Sequence, residues 1–250
     1  MSGHNKWSSI KHRKGAQDAK RGKAFTKISK ELTVAARIGG GDASGNPRLR
    51  LAIANARAAS MPSDTMSRAI KKGTGELDGG SIEELAYEGY GPGGVGFIIE
   101  AATDNQNRTL SEVRNILEKS GGSLAKNGAV SFNFARKGCI RIDASKIQED
   151  QLMEAALDAG ADDVTQEDDA FVVYTAPASF HAVKEALDAR NIESVSAELS
   201  MIPNTTVRAT DAEQARKMLR LIERLEDNED VQNVWVNFEV PDEIAAQLDG

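Results

Sequence analysis

The fold is indicated most clearly by residues 138–202, which read GCIRIDASKIQEDQLMEAALDAGADDVTQEDDAFVVYTAPASFHAVKEALDARNIESVSAELSMI. The spacing of apolar residues along this stretch changes between the strand period and the helix period. We predict, in order, a strand at 138–143, a helix at 149–159, strands at 163–167 and 170–175, a helix at 179–190 and a strand at 194–201. The order β-α-β-β-α-β is that of the split βαβ, or ferredoxin-like, unit.

The segments on either side of this unit are predicted to form a second domain together. Residues 93–134 and 204–239 each read β-α-β. The simplest topology is one ferredoxin-like domain with another inserted between its halves, because the ends of a domain usually lie close together. The alternative is three consecutive domains, the last a lone βαβ unit that buries little core. We therefore predict a discontinuous domain of residues 82–135 plus 203–250, with residues 136–202 inserted.

Residues 1–75 are predicted to form a helical domain. The apolar face of the first helix consists of Phe25, Ile28, Leu32, Ala35 and Ala36. This helix is expected to end at 39–41, a second helix to begin at Pro47, and a third helix to follow 61–64 and end at Gly73. The expected fold class is therefore α+β, with an N-terminal three-helix domain followed by two ferredoxin-like α+β domains, one inserted into the other.

Charge is distributed unevenly along the 250 residues, whose formal net charge is −7. Residues 1–75 hold 16 Lys and Arg against four Asp and Glu, whereas residues 76–250 hold 15 against 34. A separate basic block is typical of a protein that binds a polyanion, usually nucleic acid. The alternative is a charged surface that is merely solvated.

The first predicted helix carries a row of four lysines, which we call the lysine stripe: Lys20, Lys23, Lys27 and Lys30. Their spacing of three, four and three residues places them within an arc of about 80°. The arc points away from the apolar face of the same helix. Because like charges at this spacing repel each other, the stripe favours a phosphate partner, and lysine suits contacts to the nucleic-acid backbone.

Other basic residues and one tryptophan extend the candidate interface. Trp7 lies within a basic arm, where it can stack on an unpaired base or anchor the arm to the helical domain. The three arginines near the second helix can read base edges or be ordinary surface residues. The full set of candidate nucleic-acid contacts is Lys6, Trp7, Lys11, Arg13, Lys14, Lys20, Arg21, Lys23, Lys27, Lys30, Arg48, Arg50 and Arg57.

The sequence contains no set of residues that predicts catalysis. Residues 89–94 fit G-x-G-x-x-G but precede a predicted strand, whereas a dinucleotide site follows a strand and opens a helix. Acidic clusters at 162–163, 167–169 and 226–230 lie mostly at predicted turns and helix ends, where Asp is favoured without a metal. We expect no enzyme activity, cofactor, metal or small-molecule substrate.

The location of the protein is predicted from what the sequence lacks. The single cysteine, Cys139, excludes an internal disulfide and a cysteine-based zinc site. No apolar run approaches the ~18 residues of a membrane span, and the basic N-terminus has no apolar stretch behind it to form a secretory signal. We therefore expect a cytoplasmic protein with no membrane partner.

Short blocks over nearly the whole chain are similar to those of a known family. They are 3–10 (GHNKWSSI), 39–42 (GGGD), 46–50 (NPRLR), 61–64 (MPSD), 68–73 (RAIKKG), 87–94 (YEGYGPGG), 103–109 (TDNQNRT) and 121–124 (GGSL). Together they resemble the YebC/PmpR family of probable transcriptional regulators, which also includes a mitochondrial translational activator. Ala43, Ser60 and Phe132 stand where that family often has Pro, Asn and Trp, and none of these departures removes a basic residue.

The resemblance implies a three-domain cytoplasmic protein with a non-enzymatic role in gene expression. Members of the family divide between promoter DNA binding and ribosome-associated help with translation, including through proline-rich stretches. We predict a DNA-binding transcriptional regulator. The alternative is a translation factor that binds ribosomal RNA on the ribosome.

Overall fold

The computed structural model describes residues 19–167 and 169–248. Of these, residues 132–206 form one compact unit, the inserted unit, and residues 19–131 with 207–248 form the other, the larger unit. In chain order the elements are α1 (Ala19–Gly39), α2 (Pro47–Ala58), α3 (Ser63–Thr74), β1 (Glu83–Tyr90), β2 (Gly96–Thr103), α4 (Gln106–Lys119), β3 (Ser123–Ala125), β4 (Phe134–Asp143), α5 (Glu149–Asp158), β5 (Asp163–Glu167), β6 (Ala170–Thr175), α6 (Phe180–Ala189), β7 (Ser196–Pro203), β8 (Val207–Arg208), α7 (Ala212–Glu226), β9 (Val231–Val236), β10 (Phe238–Glu239) and α8 (Asp242–Ala245). Within the described ranges, none of these helices combines the length and apolar character that a bilayer span requires.

The first three helices of the larger unit pack around a small apolar core. Leu32 of α1 and Leu49 of α2 are fully buried in it, together with small alanines that allow close packing. The start of α2 is fixed by Asn46, whose Oδ1 accepts a hydrogen bond from the backbone N–H of Leu49, and by Pro47 in the first turn. The predicted three-helix arrangement is confirmed.

The third helix ends later than predicted. It continues past Gly73 to Thr74, and Gly75 ends it in the left-handed conformation, at φ +80°. A Cβ atom on Gly73 would lie 2.3 Å from the carbonyl oxygen of Thr33. Gly73 is therefore required for the close approach of α3 to α1, and it is not the helix stop that the sequence suggested.

The sheet of the larger unit has the strand order β3-β1-β2-β9, with neighbouring strands antiparallel. The chain runs from β2 through α4 to β3, and β1 lies between those two strands. This is the split βαβ arrangement of a ferredoxin-like domain. The predicted fold class is thus confirmed for this sheet.

The strands that build this sheet differ in part from the predicted ones. The strand predicted at the end of 93–134 is replaced by the short β3, and β8 pairs only with β10, in a separate parallel ladder. One of the two interior strands is β1, which was not predicted from the sequence. Its sequence, EELAYEGY, is acidic and lacks the apolar alternation of a typical strand.

A buried carboxylate explains how such an acidic strand is accommodated. Glu88 of β1 accepts hydrogen bonds from the backbone N–H groups of Gly128, Val130 and Ser131. Burial alone would raise the pKa of Glu88, but these backbone hydrogen bonds outweigh it and lower the pKa below its usual value. The carboxylate therefore holds the segment after β3 against the sheet.

The inserted unit has the strand order β5-β6-β4-β7 and the predicted β-α-β-β-α-β sequence of elements. All neighbouring strands are antiparallel. Its core includes Ile140, Val173 and Phe180, and Cys139 is buried on β4, where burial raises the pKa of its thiol to about 12. That residues 136–202 fold as a separate domain stays a prediction.

Candidate nucleic-acid interface

The structure describes the side chains of only part of the predicted interface. Lys6, Trp7, Lys11, Arg13 and Lys14 lie outside the described residues, and Lys20 and Arg21 belong to the first turn of α1. The side chains that can be placed are those of Lys23, Lys27, Lys30, Arg48, Arg50 and Arg57.

The described lysines of the stripe contact an acidic part of the same unit. We call the end of α7 and the following turn, residues 226–230, the acidic segment. Lys27 Nζ donates a hydrogen bond to the carbonyl oxygen of Glu226 at 2.7 Å. Lys23 Nζ lies 3.2 Å from Oδ1 of Asp227. From the sequence this acidic cluster was explained by the preference of Asp for turns and helix ends, whereas in the structure it contacts the lysine stripe.

The deepest contact of the stripe is centred on Asp230. Lys30 Nζ lies 2.6 Å from Asp230 Oδ1 and 2.8 Å from the carbonyl oxygen of Glu229. Asp230 Oδ2 accepts hydrogen bonds from Arg108 at 2.8 Å and Thr109 at 2.7 Å. Burial alone would raise the pKa of Asp230, but its hydrogen bonds with Lys30, Arg108 and Thr109 lower the pKa to about 2. Asp230 is therefore a buried, ionised anchor for α1.

The contacts between the stripe and the acidic segment become more exposed towards the N-terminal end of α1. The side chains of Lys30 and Asp230 are 16% and 6% exposed, whereas those of Lys23 and Asp227 are 43% and 61% exposed. Exposed ion pairs contribute little to stability, but removing one partner of a buried pair is costly. Breaking the inner pair is therefore costly, whereas breaking the outer pair costs little.

Two of the predicted arginines are held by contacts within the chain. Arg48 donates hydrogen bonds through Nε and Nη2 to both carboxylate oxygens of Glu31, at 2.7 and 2.8 Å, and a third through Nη2 to Glu84 at 2.7 Å. The hydrogen bond with Glu31 is the main cause that raises the pKa of Arg48 above its usual value. Arg50 donates to two backbone carbonyls of the preceding loop, at 2.5 and 2.8 Å. Neither guanidinium group is presented for reading a base edge.

A second basic surface lies on α3 and the end of α2, and we call it the α3 surface. Its side chains are exposed and form no hydrogen bond or ion pair with the part of the chain that the structure describes; they belong to Arg57, Arg68, Lys71 and Lys72. Arg68 and Lys72 line a cleft of about 1170 Å³ that residues 227–230 of the acidic segment also line. Arg57 and Lys71 line a shallower groove of about 430 Å³ with an apolar floor.

Of the α3 surface, only Arg57 is among the nucleic-acid contacts predicted from the sequence. The signal for the other three was present, because Arg68, Lys71 and Lys72 fall at i, i+3 and i+4 on one helix. They also lie in the RAIKKG block that carries part of the family resemblance. Because these three side chains are exposed on α3, they are candidate nucleic-acid contacts in the same way as Arg57.

Two other features considered in the sequence are the glycine-rich segment 89–94 and the possible metal ligands. Residues 89–94 run from the last two residues of β1 through the tight turn at Pro92–Gly94 that leads to β2. Among the residues that the structure describes, no group of three or more His, Cys, Asp and Glu side chains is arranged to hold a metal ion.

Comparison with known proteins places the chain in a family. The protein-family model described as the TACO1/YebC protein N-terminal domain matches residues 5–76 of the sequence. The family model described as the TACO1/YebC second and third domain matches residues 82–238. The chain belongs to the TACO1/YebC family. The resemblance expected from the sequence blocks is thus confirmed.

Individual TACO1/YebC relatives match over their full lengths. A "Probable transcriptional regulatory protein" of Syntrophobacter fumaroxidans is 55% identical over 248 residues, covering 99% of this chain and 100% of the relative. A relative of the same name from Treponema denticola is 55% identical over 242 residues, covering 97% and 98%. The crystal structure of a conserved hypothetical protein, Aq1575 from Aquifex aeolicus, is similar with a TM-score of 0.86 and 45% identity, covering 95% of this chain and 98% of that one.

Proposed function

We propose that this protein is a non-enzymatic, cytoplasmic nucleic-acid-binding regulator of gene expression, and that it acts as a DNA-binding transcriptional regulator. The names of its relatives support a regulatory role. The observation that carries the proposal is the α3 surface, whose exposed cations have no partner in the described chain.

The α3 surface suits phosphate groups. A protein gains affinity for nucleic acid when its cations replace the counterions that surround the phosphates. Cations that already pair with carboxylates must first give up those contacts, whereas Arg57, Arg68, Lys71 and Lys72 have none to give up among the described residues.

A second candidate function is binding to ribosomal RNA as a translation factor. The contacts of Arg48 with Glu31 and Glu84 favour it, because this arginine is not available to read base edges. Cations on the α3 surface suit contacts to the phosphate backbone, which position a protein without specifying a sequence. Backbone binding of this kind fits structured RNA as well as duplex DNA.

A competition experiment tests both candidates. Labelled protein is offered ribosomes and excess random duplex DNA at about 0.15 M salt. The triple variant Arg68→Gln/Lys71→Gln/Lys72→Gln is compared with Lys137→Gln/Lys146→Gln/Arg190→Gln, which removes the same charge from the inserted unit.

Each outcome separates the candidates. Release from ribosomes by random DNA, together with a defined duplex that binds about 10³-fold more tightly than random DNA, supports the transcriptional regulator. Retention on ribosomes that only the α3 variant loses supports the translation factor. Equal behaviour of the two triple variants contradicts the role of the α3 surface, and no binding to either target contradicts the proposed function.

A further inference from the structure

The acidic segment presents to the lysine stripe the same kind of acceptors that a nucleic acid would present. Lys27 contacts a backbone carbonyl at the C-terminal end of α7, and Lys23 contacts the carboxylate of Asp227. The C-terminal end of a helix carries partial negative charge on its unpaired carbonyls. Carboxylates and helix-end carbonyls therefore occupy positions around the stripe that phosphate oxygens would otherwise take.

We infer that the acidic segment is an internal competitor of nucleic acid, which covers the lysine stripe and is displaced from its outer end when phosphates bind. The inference rests on the proposed function and adds a way in which nucleic-acid binding is regulated. In the closed state, Asp227 holds Lys23. In the bound state a phosphate takes Lys23, whereas Lys30 stays on Asp230.

The difference in burial along the stripe determines which contact opens. Displacing Asp227 from Lys23 costs little, because both side chains are largely exposed and remain solvated when they separate. Separating Lys30 from Asp230 would leave a buried carboxylate with fewer partners. The segment is therefore displaced at one end and anchored at the other.

The contact with the acidic segment also explains why a row of like charges is tolerated on α1. Lysines at this spacing repel each other, and the sequence alone suggested that phosphates relieve the repulsion. In the structure the acidic segment relieves it within the chain. A polyanion must therefore outcompete a resident anion before it gains this part of the surface.

The test compares Asp227→Asn with a matched control, Asp158→Asn. Asp158 lies in the inserted unit, is similarly exposed, and pairs with an exposed arginine, Arg190, at 3.6 Å. The probes are a random-sequence DNA duplex and a single-stranded RNA of the same length, titrated by fluorescence anisotropy over a range of salt concentrations. Comparison of the two probes shows whether DNA or RNA supplies the phosphates that bind the stripe.

We expect Asp227→Asn to bind about 1.5- to fivefold more tightly than wild type, the range that corresponds to one exposed ion pair. Its salt dependence on duplex DNA should stay close to that of wild type, because Lys23 contacts a phosphate in the bound state of both proteins. The gain should disappear when Lys23→Gln is added to Asp227→Asn, whereas Asp158→Asn should remain close to wild type.

Failure of the inference and failure of the proposed function give different results. If wild type binds the probes and Asp227→Asn is no tighter than Asp158→Asn, the competition is overturned and nucleic-acid binding stands. A gain that persists without Lys23 also overturns the competition. If neither wild type nor Asp227→Asn binds either probe, the proposed function is overturned together with the inference.

Discussion

The lysine stripe of α1 and the α3 surface are two basic surfaces of one helical domain, and they differ in what they contact. Both are rows of cations at helical spacing, and either could be selected from the sequence as a phosphate site. The stripe is engaged by the acidic segment, more than 190 residues further along the chain, whereas the α3 surface has no partner among the described residues. The comparison shows that the number and spacing of cations do not determine which of them are available to a ligand.

The largest expected effect is on binding by the α3 surface. Changing Arg68, Lys71 and Lys72 to Gln should weaken binding to duplex DNA by about a hundredfold at 0.1 M salt and lower the salt slope by about 2.7, because three phosphate contacts are lost. The free energy of unfolding should change by less than about 0.5 kcal/mol, since these side chains are exposed. Salt-dependent anisotropy and urea unfolding measure the two effects. A large loss of stability would show that these side chains help to hold the fold, and would contradict the contrast between the paired lysine stripe and the unpaired α3 surface.

The next effect concerns the anchor of the stripe. Asp230→Asn should lower the free energy of unfolding by about 2 kcal/mol at pH 7, because the pKa of this carboxyl falls from near 4 in the unfolded chain to about 2 in the fold. A lowered pKa stabilises the fold above pH 4, and this stabilisation is lost as the pH falls from 4 to 2. The difference between wild type and Asp230→Asn in urea unfolding should therefore shrink over that range. A difference independent of pH would show that charge is not its cause.

A smaller effect tests the packing that holds α3 against α1. Gly73→Ala should destabilise the protein by about 1–2 kcal/mol, because the new Cβ would collide with the carbonyl oxygen of Thr33. Gly22→Ala is the matched control, since a Cβ there has no neighbour within 4 Å among the described residues and alanine favours the helix. Thermal unfolding should show a lower midpoint for Gly73→Ala and an equal or higher one for Gly22→Ala. Equal midpoints would contradict the close contact at Gly73.

The smallest effect belongs to the outer pair of the stripe. Lys23→Gln should change the free energy of unfolding by less than about 0.5 kcal/mol, because its ion pair with Asp227 is exposed. Lys30→Gln should cost several times more, because Lys30 contacts the buried Asp230. Urea unfolding of the two variants side by side measures the gradient. Equal losses would remove the distinction between an outer pair that costs little to break and an inner pair that is costly to break.

The sequence predicted the fold best where structure is local. In residues 138–202 the predicted strands and helices match the observed ones closely, because period and turns are set by neighbouring residues. The position of β1 was missed, because its acidic residues are stabilised by distant contacts, such as those of Glu88 with the segment after β3. Gly73 was misjudged for the same reason, since its role depends on Thr33 of another helix.

For the candidate site, the sequence indicated the basic helical domain and the type of partner. It did not show that Arg48 is bound by Glu31 and Glu84, or that Lys30 reaches Asp230. Carboxylates distant in sequence cannot be assigned to a cation until the chain is folded. The contribution of the basic arm, residues 1–15, stays a prediction.

The sequence by itself determined the order of the elements in residues 138–202, the α+β class, the family and the concentration of positive charge in the first third of the chain. These properties depend on composition, short-range periodicity and blocks of neighbouring residues. The tertiary structure alone decided which of those charges are exposed and which are paired. The reason is physical: the interaction of two charged groups depends on their distance and their burial, and in this protein both are set by the docking of α1 beside the end of α7.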